Sequence, residues 1–407
     1  MNRYSISRLS YALALVFPLF FAGCVGTDDD GGSVPYTEDS DSHSEAQDAE
    51  LFEYDSDYNT GETFDFNLDG LPFRGVNMSG AEWDGGVKWP DRQITRGYVS
   101  FPNHFRGWGL NTVRLPFKWE RLQPQLRGSF DEREWNRLKT TVYTLRADRA
   151  RIIIDCHNYA RFNGVTIPNG PTDADLADLW TKLAVEFKNY PEVMFGIMNE
   201  PYDMPTEDWV SAANAAIAAI RATGARNLIF LNGNAWSGAH SWYGTWYGTA
   251  NAEAMLDIVD PLGSDYTIFE AHQYLNEMSS DWGDCVCSQW EIQNDCTNDT
   301  VGAHRMQNFT YWLRENGKKG FLGEFGVQAD ATCMAALDDM LNYIEDNADV
   351  YVGWTWWSAG PACVNWQAPT DPFCWGDWED DPDFEIPAQM QALIDHVADN
   401  PDIYVNP

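Results

Sequence analysis

The chain has 407 residues, of which 44% are hydrophobic and 14% aromatic, enough for a large core. Its 62 Asp and Glu against 26 Lys and Arg give a net charge of −36. That balance argues against nucleic acid or any other polyanion as partner and suits a neutral substrate. The 19 Trp divide between two readings: large core fillers, or flat apolar surfaces of the kind on which sugar rings stack.

At the N-terminus, Arg3 and Arg8 precede an apolar run at 11–22. The run is shorter than the roughly 20 residues a membrane span needs, so it reads as a secretory signal. Its end, Phe21-Ala22-Gly23-Cys24, resembles a bacterial lipobox, which makes Cys24 the expected lipid attachment site; simple cleavage is the alternative. Val25 follows, and by resemblance to lipoprotein sorting the absence of Asp there favours the outer membrane. Residues 25–60 are acidic and polar with few apolar positions, and read as a disordered tether. The expected organisation is therefore a signal peptide (1–24), an acidic linker (25–60) and one catalytic domain (61–407). The protein is expected to be exported, as an outer-membrane lipoprotein or a secreted enzyme, to meet a membrane only through a lipid anchor, and to be a monomer.

Seven cysteines follow Cys24, and an oxidising compartment favours disulfides. Cys363 with Cys374 and Cys296 with Cys333 are the expected bridges, and Cys156, inside an apolar strand, is the expected free thiol. Cys285 and Cys287 lack a second pair at zinc-ligand spacing, so no metal is expected.

The folded part opens with an alternating stretch around Asp69-Gly70, residues 64–73, which reads as a hairpin. Asp65, Asn67, Asp69 and Gly70 begin like a calcium loop, but Val76 stands where a bidentate Glu is needed. Short apolar runs then recur at 73–78, 112–115, 152–156, 193–198, 228–231, 267–271, 320–324 and 350–357. Amphipathic stretches at 132–147, 176–188, 210–222, 304–316 and 334–346 alternate with them, and a last helix is expected at 386–397. Eight strands alternating with helices predict a closed (β/α)8 TIM barrel, with polar groups at the C-terminal ends of strands.

The polar residues that close the runs are Arg114, then His157-Asn158-Tyr159, Asn199-Glu200-Pro201, His272-Gln273-Tyr274 and Glu324. Two carboxylates at the mouths of two strands are the minimum equipment for cleaving a glycosidic bond. The ordered set resembles glycoside hydrolase family 5, the endoglucanase-type retaining β-glycosidases, from about residue 70 to 360. Arg74-Gly75-Val76-Asn77-Met78-Ser79-Gly80-Ala81-Glu82 with His157-Asn158-Tyr159-Ala160-Arg161 is most similar to the cellulase branch. The resemblance implies Glu200 as acid/base and Glu324 as nucleophile, with Arg114 favouring the ionised Glu324 and Tyr274 donating to it. It further implies Asn199 on the sugar 2-OH, His157 and His272 binding hydroxyls or orienting Glu200, and Trp357 as the floor under the reacting sugar. Asn158 is a further expected sugar contact. Trp83 and Trp236 are flanking sugar platforms or core residues. No cofactor is needed, since proton transfer and carboxylate attack suffice. The expected activity is endo-β-1,4-glucanase on a β-glucan polysaccharide. Mannanase or xylanase activity on the same barrel, and a non-catalytic glycan-binding lipoprotein, are the alternatives.

Overall fold

A computed structural model of the chain describes residues 64, 66–83, 89, 105–276, 296–360 and 386–397. The signal, Cys24, the tether, and Cys285, Cys287, Cys363 and Cys374 lie outside the described residues.

Eight parallel strands close into a barrel: β1 (Phe73–Met78), β2 (Thr112–Phe117), β3 (Arg151–Cys156), β4 (Val193–Gly196), β5 (Ile229–Asn232), β6 (Thr267–His272), β7 (Gly320–Glu324) and β8 (Tyr351–Ala359). β8 pairs with β1 and shuts the sheet on itself. The strands read as continuous apolar runs because both faces are buried, one by the barrel interior and one by helices. The longer helices among the described residues are α1 (Glu132–Ala147), α2 (Asp173–Phe187), α3 (Thr206–Ala222), α4 (Val301–Glu315), α5 (Ala331–Asp346) and α6 (Ala388–Asp395). This is the expected (β/α)8 architecture.

The hairpin expected over 64–73 is not formed among the described residues. Asp69-Gly70 does turn, with Gly70 at φ 73°, and the Asp69 N–H donates to Asn67 Oδ1. Phe73, however, begins a barrel strand, and Phe66 and Leu68 instead pack against the barrel's inner apolar layer. Hydrophobic alternation here serves a plug rather than a strand pair.

Inside the barrel the side chains form layers. The layer near the strand N-terminal ends is apolar: Phe73, Ile153, Met194, Phe230, Ile268, Phe321 and Val352. Two residues further along three of these strands, period-two alternation brings polar groups inward: Asp155 on β3, Asn232 on β5 and Glu270 on β6, each almost fully buried. Arg114 on β2, paired in register with Asn77 on β1, enters the same layer. Above it lie the strand ends.

Two helix tryptophans tie down the strand ends that matter most. Trp180 of α2 donates to the Ile197 carbonyl at 3.0 Å, and Trp209 of α3 donates to the Asn232 carbonyl at 2.8 Å. Among the described residues nine tryptophans are fully buried: Trp89, Trp119, Trp180, Trp209, Trp242, Trp312, Trp354, Trp356 and Trp357. Cys296 and Cys333 form a disulfide, and Cys156 is a free, buried thiol.

Candidate active site

Glu200 follows β4 on an unusual turn. Its φ is 43°, in the left-handed region, although Pro201 restricts the residue before it to extended conformations. The conformation is held by neighbours: the Glu200 N–H donates to Asn232 Oδ1 at 3.0 Å. The carboxyl points over the barrel mouth, where Oε1 lies 2.7 Å from Nδ1 of His272.

Glu324 ends β7, where the pairing with β6 slips: Ala271 stands opposite Leu322, but His272 stands opposite Glu324. The irregularity skips Gly323 and aims Glu324 at the ring of His272. Tyr274 Oη donates to Glu324 Oε2 at 2.9 Å, and Arg114 Nη1 donates to Oε1 at 3.1 Å. An oxygen of Glu200, a ring nitrogen of His272 and an oxygen of Glu324 all lie within 4.8 Å of one another. Two carboxyls this near suit attack by one of them. A pair that activates water across the sugar needs roughly 6.5–9.5 Å.

Arg114 is the hub beneath them. Its guanidinium lies 3.2 Å from Asp155, 2.9 Å from Glu270 and 3.1 Å from Glu324. It also donates to Asn77 Oδ1 at 3.0 Å and to Asn199 Oδ1 at 2.7 Å. Burial opposes its charge, but the three carboxylates outweigh that and raise its pKa further. A planar fork with five donors can serve so many acceptors; a lysine ammonium cannot.

Burial raises the pKa of Glu200, and the Glu324 charge adds to the rise against the opposing pull of His272. Burial alone would depress His272, yet Glu324, Glu200 and Glu270 together raise it to about 10. Glu270 is the reverse case: burial would raise it, and Arg114 beside it holds it down to about 2. Burial keeps the Tyr274 phenol protonated, so it remains a donor to Glu324. The site thus holds one carboxyl biased toward its acid form beside another paired with fixed donors, the division of labour that acid and nucleophile require.

The remaining expected residues divide. His157 donates through Nδ1 to Asp155 Oδ2 (2.8 Å) and accepts at Nε2 from Asn199 Nδ2 (3.2 Å), and its ring stacks on Trp357 at 5.3 Å. It has no contact with the Glu200 carboxyl at hydrogen-bond distance among the described groups; its polar partners are Asp155, Asn199 and Tyr159. Trp357 faces into the mouth while Trp354 and Trp356 pack on Phe325, the split that strand alternation implies. The Trp357–Ser358 peptide is cis. Asn158 has its side chain engaged within the fold. It accepts from the Trp119 N–H at 2.6 Å and spends its donors on Glu120 (2.7 Å) and the Arg161 carbonyl (3.1 Å), so none is left for a sugar. Trp83 is partly exposed and donates to Ser79 Oγ at 3.1 Å. Trp236 lies flat on Tyr202, centroids 4.6 Å apart, and its backbone N–H donates to the Pro201 carbonyl beside Glu200. Glu200 is 9% exposed and Glu324 1%, the latter held between Tyr274 and Arg114.

Residues 65–360 match the family described as Cellulase (glycosyl hydrolase family 5). The chain belongs to glycoside hydrolase family 5. It is 33% identical over 313 residues to endo-beta-1,4-glucanase B of Emericella nidulans, an alignment covering 74% of this chain and 87% of that one. A solved endo-beta-1,4-glucanase of Xanthomonas axonopodis pv. citri is 39% identical, with a TM-score of 0.69 over 80% of this chain and 98% of its own. The structure of XacCel5A in complex with cellopentaose is 38% identical, with a TM-score of 0.66 over 81% of this chain and 100% of its own.

For a family 5 barrel, the sequence reading passed over two groups that matter. Asp155 and Glu270 each stand two residues before a site histidine, His157 and His272. A carboxylate-x-His on a strand puts both side chains on one face, so the spacing was a usable signal. Tyr202 and Asn232 carried no such pattern. The close set of Glu200, His272 and Glu324 also has the spacing of a metal site. Its charge is already met by the Arg114 guanidinium and by the mutual His272–Glu200 contact, so it reads as an acid–nucleophile pair.

Proposed function

We propose that this family 5 enzyme is a retaining endo-β-1,4-glucanase that cleaves internal bonds of cellulose or related β-glucans by two displacements. The observation that carries the reading is the Glu200–Glu324 pair, whose oxygens lie within 4.8 Å and whose partners differ in kind. Relatives and solved neighbours named as endo-β-1,4-glucanases, one of them bound to cellopentaose, support the substrate class.

In this reading Glu200 gives its proton to the leaving oxygen while Glu324 attacks the anomeric carbon. Glu200, now ionised, then takes a proton from water, which displaces Glu324. Arg114 and the Tyr274 hydroxyl hold Glu324 for attack. Asn199, fixed by Arg114 on one side and His157 on the other, offers its amide to the sugar 2-OH. Trp357 underlies the reacting sugar, and Trp236 with Tyr202 and Trp83 serves sugars to either side.

The test is viscosity loss and reducing-sugar release from carboxymethyl cellulose, run beside mannan, xylan and mixed-linkage glucan. Wild type should thin the cellulose derivative quickly and release first product of retained anomeric form. Glu324→Ala should lose activity by on the order of 10⁴-fold or more while remaining folded. Preference for mannan or xylan would replace the substrate assignment. A wild type that binds glycans without cleaving them would replace the reaction.

We further propose that residues 1–24 export the chain, that Cys24 carries lipid and that residues 25–60 tether the barrel as a monomer. Metabolic labelling with palmitate should mark wild type and not Cys24→Ser; equal labelling rejects the anchor.

A further inference from the structure

Glu270 belongs to none of the roles above. It lies on β6, 0% exposed, two residues before His272 and on the same inward face. Its Oε1 stands 3.1 Å from Nε2 of His272 and 2.9 Å from Nε of Arg114. The Asn232 side chain also faces its carboxylate and helps hold it ionised. Each of these three partners leads to a reacting group. His272 reaches the Glu200 carboxyl through Nδ1, Asn232 holds the Glu200 N–H, and Arg114 holds Glu324 and Asn199. The backbone has made room for it: a Cβ on Gly323, the residue before Glu324, would lie 2.1 Å from Oε1 of Glu270.

We propose that Glu270 is a positioning residue for both reacting carboxyls, fixing His272 against Glu200 from one side and steering the Arg114 guanidinium onto Glu324 from the other. The proposal rests on Glu200 and Glu324 being the reacting pair. An ionised carboxylate only accepts, so the His272 nitrogen facing it must carry a hydrogen, and that leaves Nδ1 aimed at Glu200. Arg114 keeps Glu270 ionised, so this constraint holds throughout the working pH range. As an ion pair facing the Nε edge of Arg114 at 2.9 Å, Glu270 leaves Nη1 to Glu324 and Nη2 to Asn199. Asp155 makes the matching contacts on the opposite side, with Arg114 and His157. Its histidine, however, meets Asn199 and neither reacting carboxyl.

A pH profile separates this role from simple packing. The charged and titratable groups facing Glu200 and Glu324 are Arg114 from β2, Asp155 and His157 from β3 with Tyr159 beyond, and Glu270, His272 and Tyr274 from β6. Glu82, beyond β1, also faces the set. Glu270→Gln removes one negative charge from this set and changes no other charge, so each neighbour binds its proton less tightly. Both limbs of the pH profile of kcat/KM on an aryl β-cellobioside should move to lower pH, by about one unit. Glu270→Asp keeps the charge one methylene back. Its limbs should return to wild-type positions while kcat stays down by on the order of tenfold with KM little changed.

Thermal melts accompany each variant. If Glu270→Gln does not fold, Glu270→Asp decides: wild-type kcat in that variant overturns the proposal, and a lowered kcat at unchanged KM supports it. A folded Glu270→Gln enzyme with wild-type limbs, losing only amplitude, also overturns it. A wild type without glycosidase activity overturns the functional reading and this proposal with it. An active wild type with indifferent variants overturns this proposal alone.

Discussion

Asn158 and His157 are adjacent at the end of β3, and the sequence motif presents them as a pair. In the fold they part. The His157 ring stacks on Trp357 at the barrel mouth, while the Asn158 amide is 5% exposed and clamps the Trp119 N–H, Glu120 and the Arg161 carbonyl. Asn158→Ala should therefore cost about 2 kcal/mol of stability by leaving the Trp119 N–H and its companions without partners. Urea unfolding would register that loss, while KM for a soluble β-glucan should hold within about twofold. A raised KM at unchanged stability would return Asn158 to the substrate. The site carboxyls were legible because each ends an apolar run, where a charged residue needs a reason to be. Glu270 sits inside such a run, and only the three-dimensional contact with Arg114 explains why an ion is tolerated there.

At the scale of elements, strands were read within about two residues of their observed ends, α1 began where expected, and α2, α3, α4 and α5 began three or four residues earlier in the structure. The sequence reading started α2 and α5 at their first apolar turn, whereas their true starts are polar caps. Thr172 and Asp175 form a capping box on α2, and Asp330 accepts from the Thr332 and Cys333 N–H groups on α5. Asp330→Ala should destabilise the domain by about 1 kcal/mol, read by thermal or denaturant unfolding. No change would mean that the disulfide at Cys333 already fixes this helix start. Residues 66–72 were misread for a related reason: alternation marks a half-buried strand only when a partner strand exists, and here Phe66 and Leu68 face the barrel's apolar layer instead. The slip in β6–β7 pairing at Gly323 had no sequence signature beyond the glycine itself.

For the whole molecule, the buried charges set a window of stability. Glu270, lowered from 4.5 to about 2, contributes stability that is complete above pH 4.5 and disappears as pH falls toward 2. His272, raised from 6.5 to about 10, contributes stability that is complete below pH 6.5 and disappears as pH rises toward 10. Glu200, raised by burial from 4.5, loses its contribution in the same direction, as pH rises. The net charge of −36 at pH 7 adds self-repulsion that fades toward the pI near 4.2. The melting temperature should thus peak between pH 4.5 and 6.5, and added salt should raise it more at about pH 8 than at about pH 5. A melting temperature that climbs steadily from about pH 6 to 9 would contradict this balance. The sequence alone determined the barrel, the strand that carries each site residue and the pair of carboxyls, because apolar periodicity and abrupt polar ends are local properties of the chain. The tertiary structure decided what surrounds those carboxyls. Arg114, Asp155 and Glu270 are brought together from strands far apart in sequence, and the register between strands, fixed by packing around the closed barrel, selects which buried charges meet.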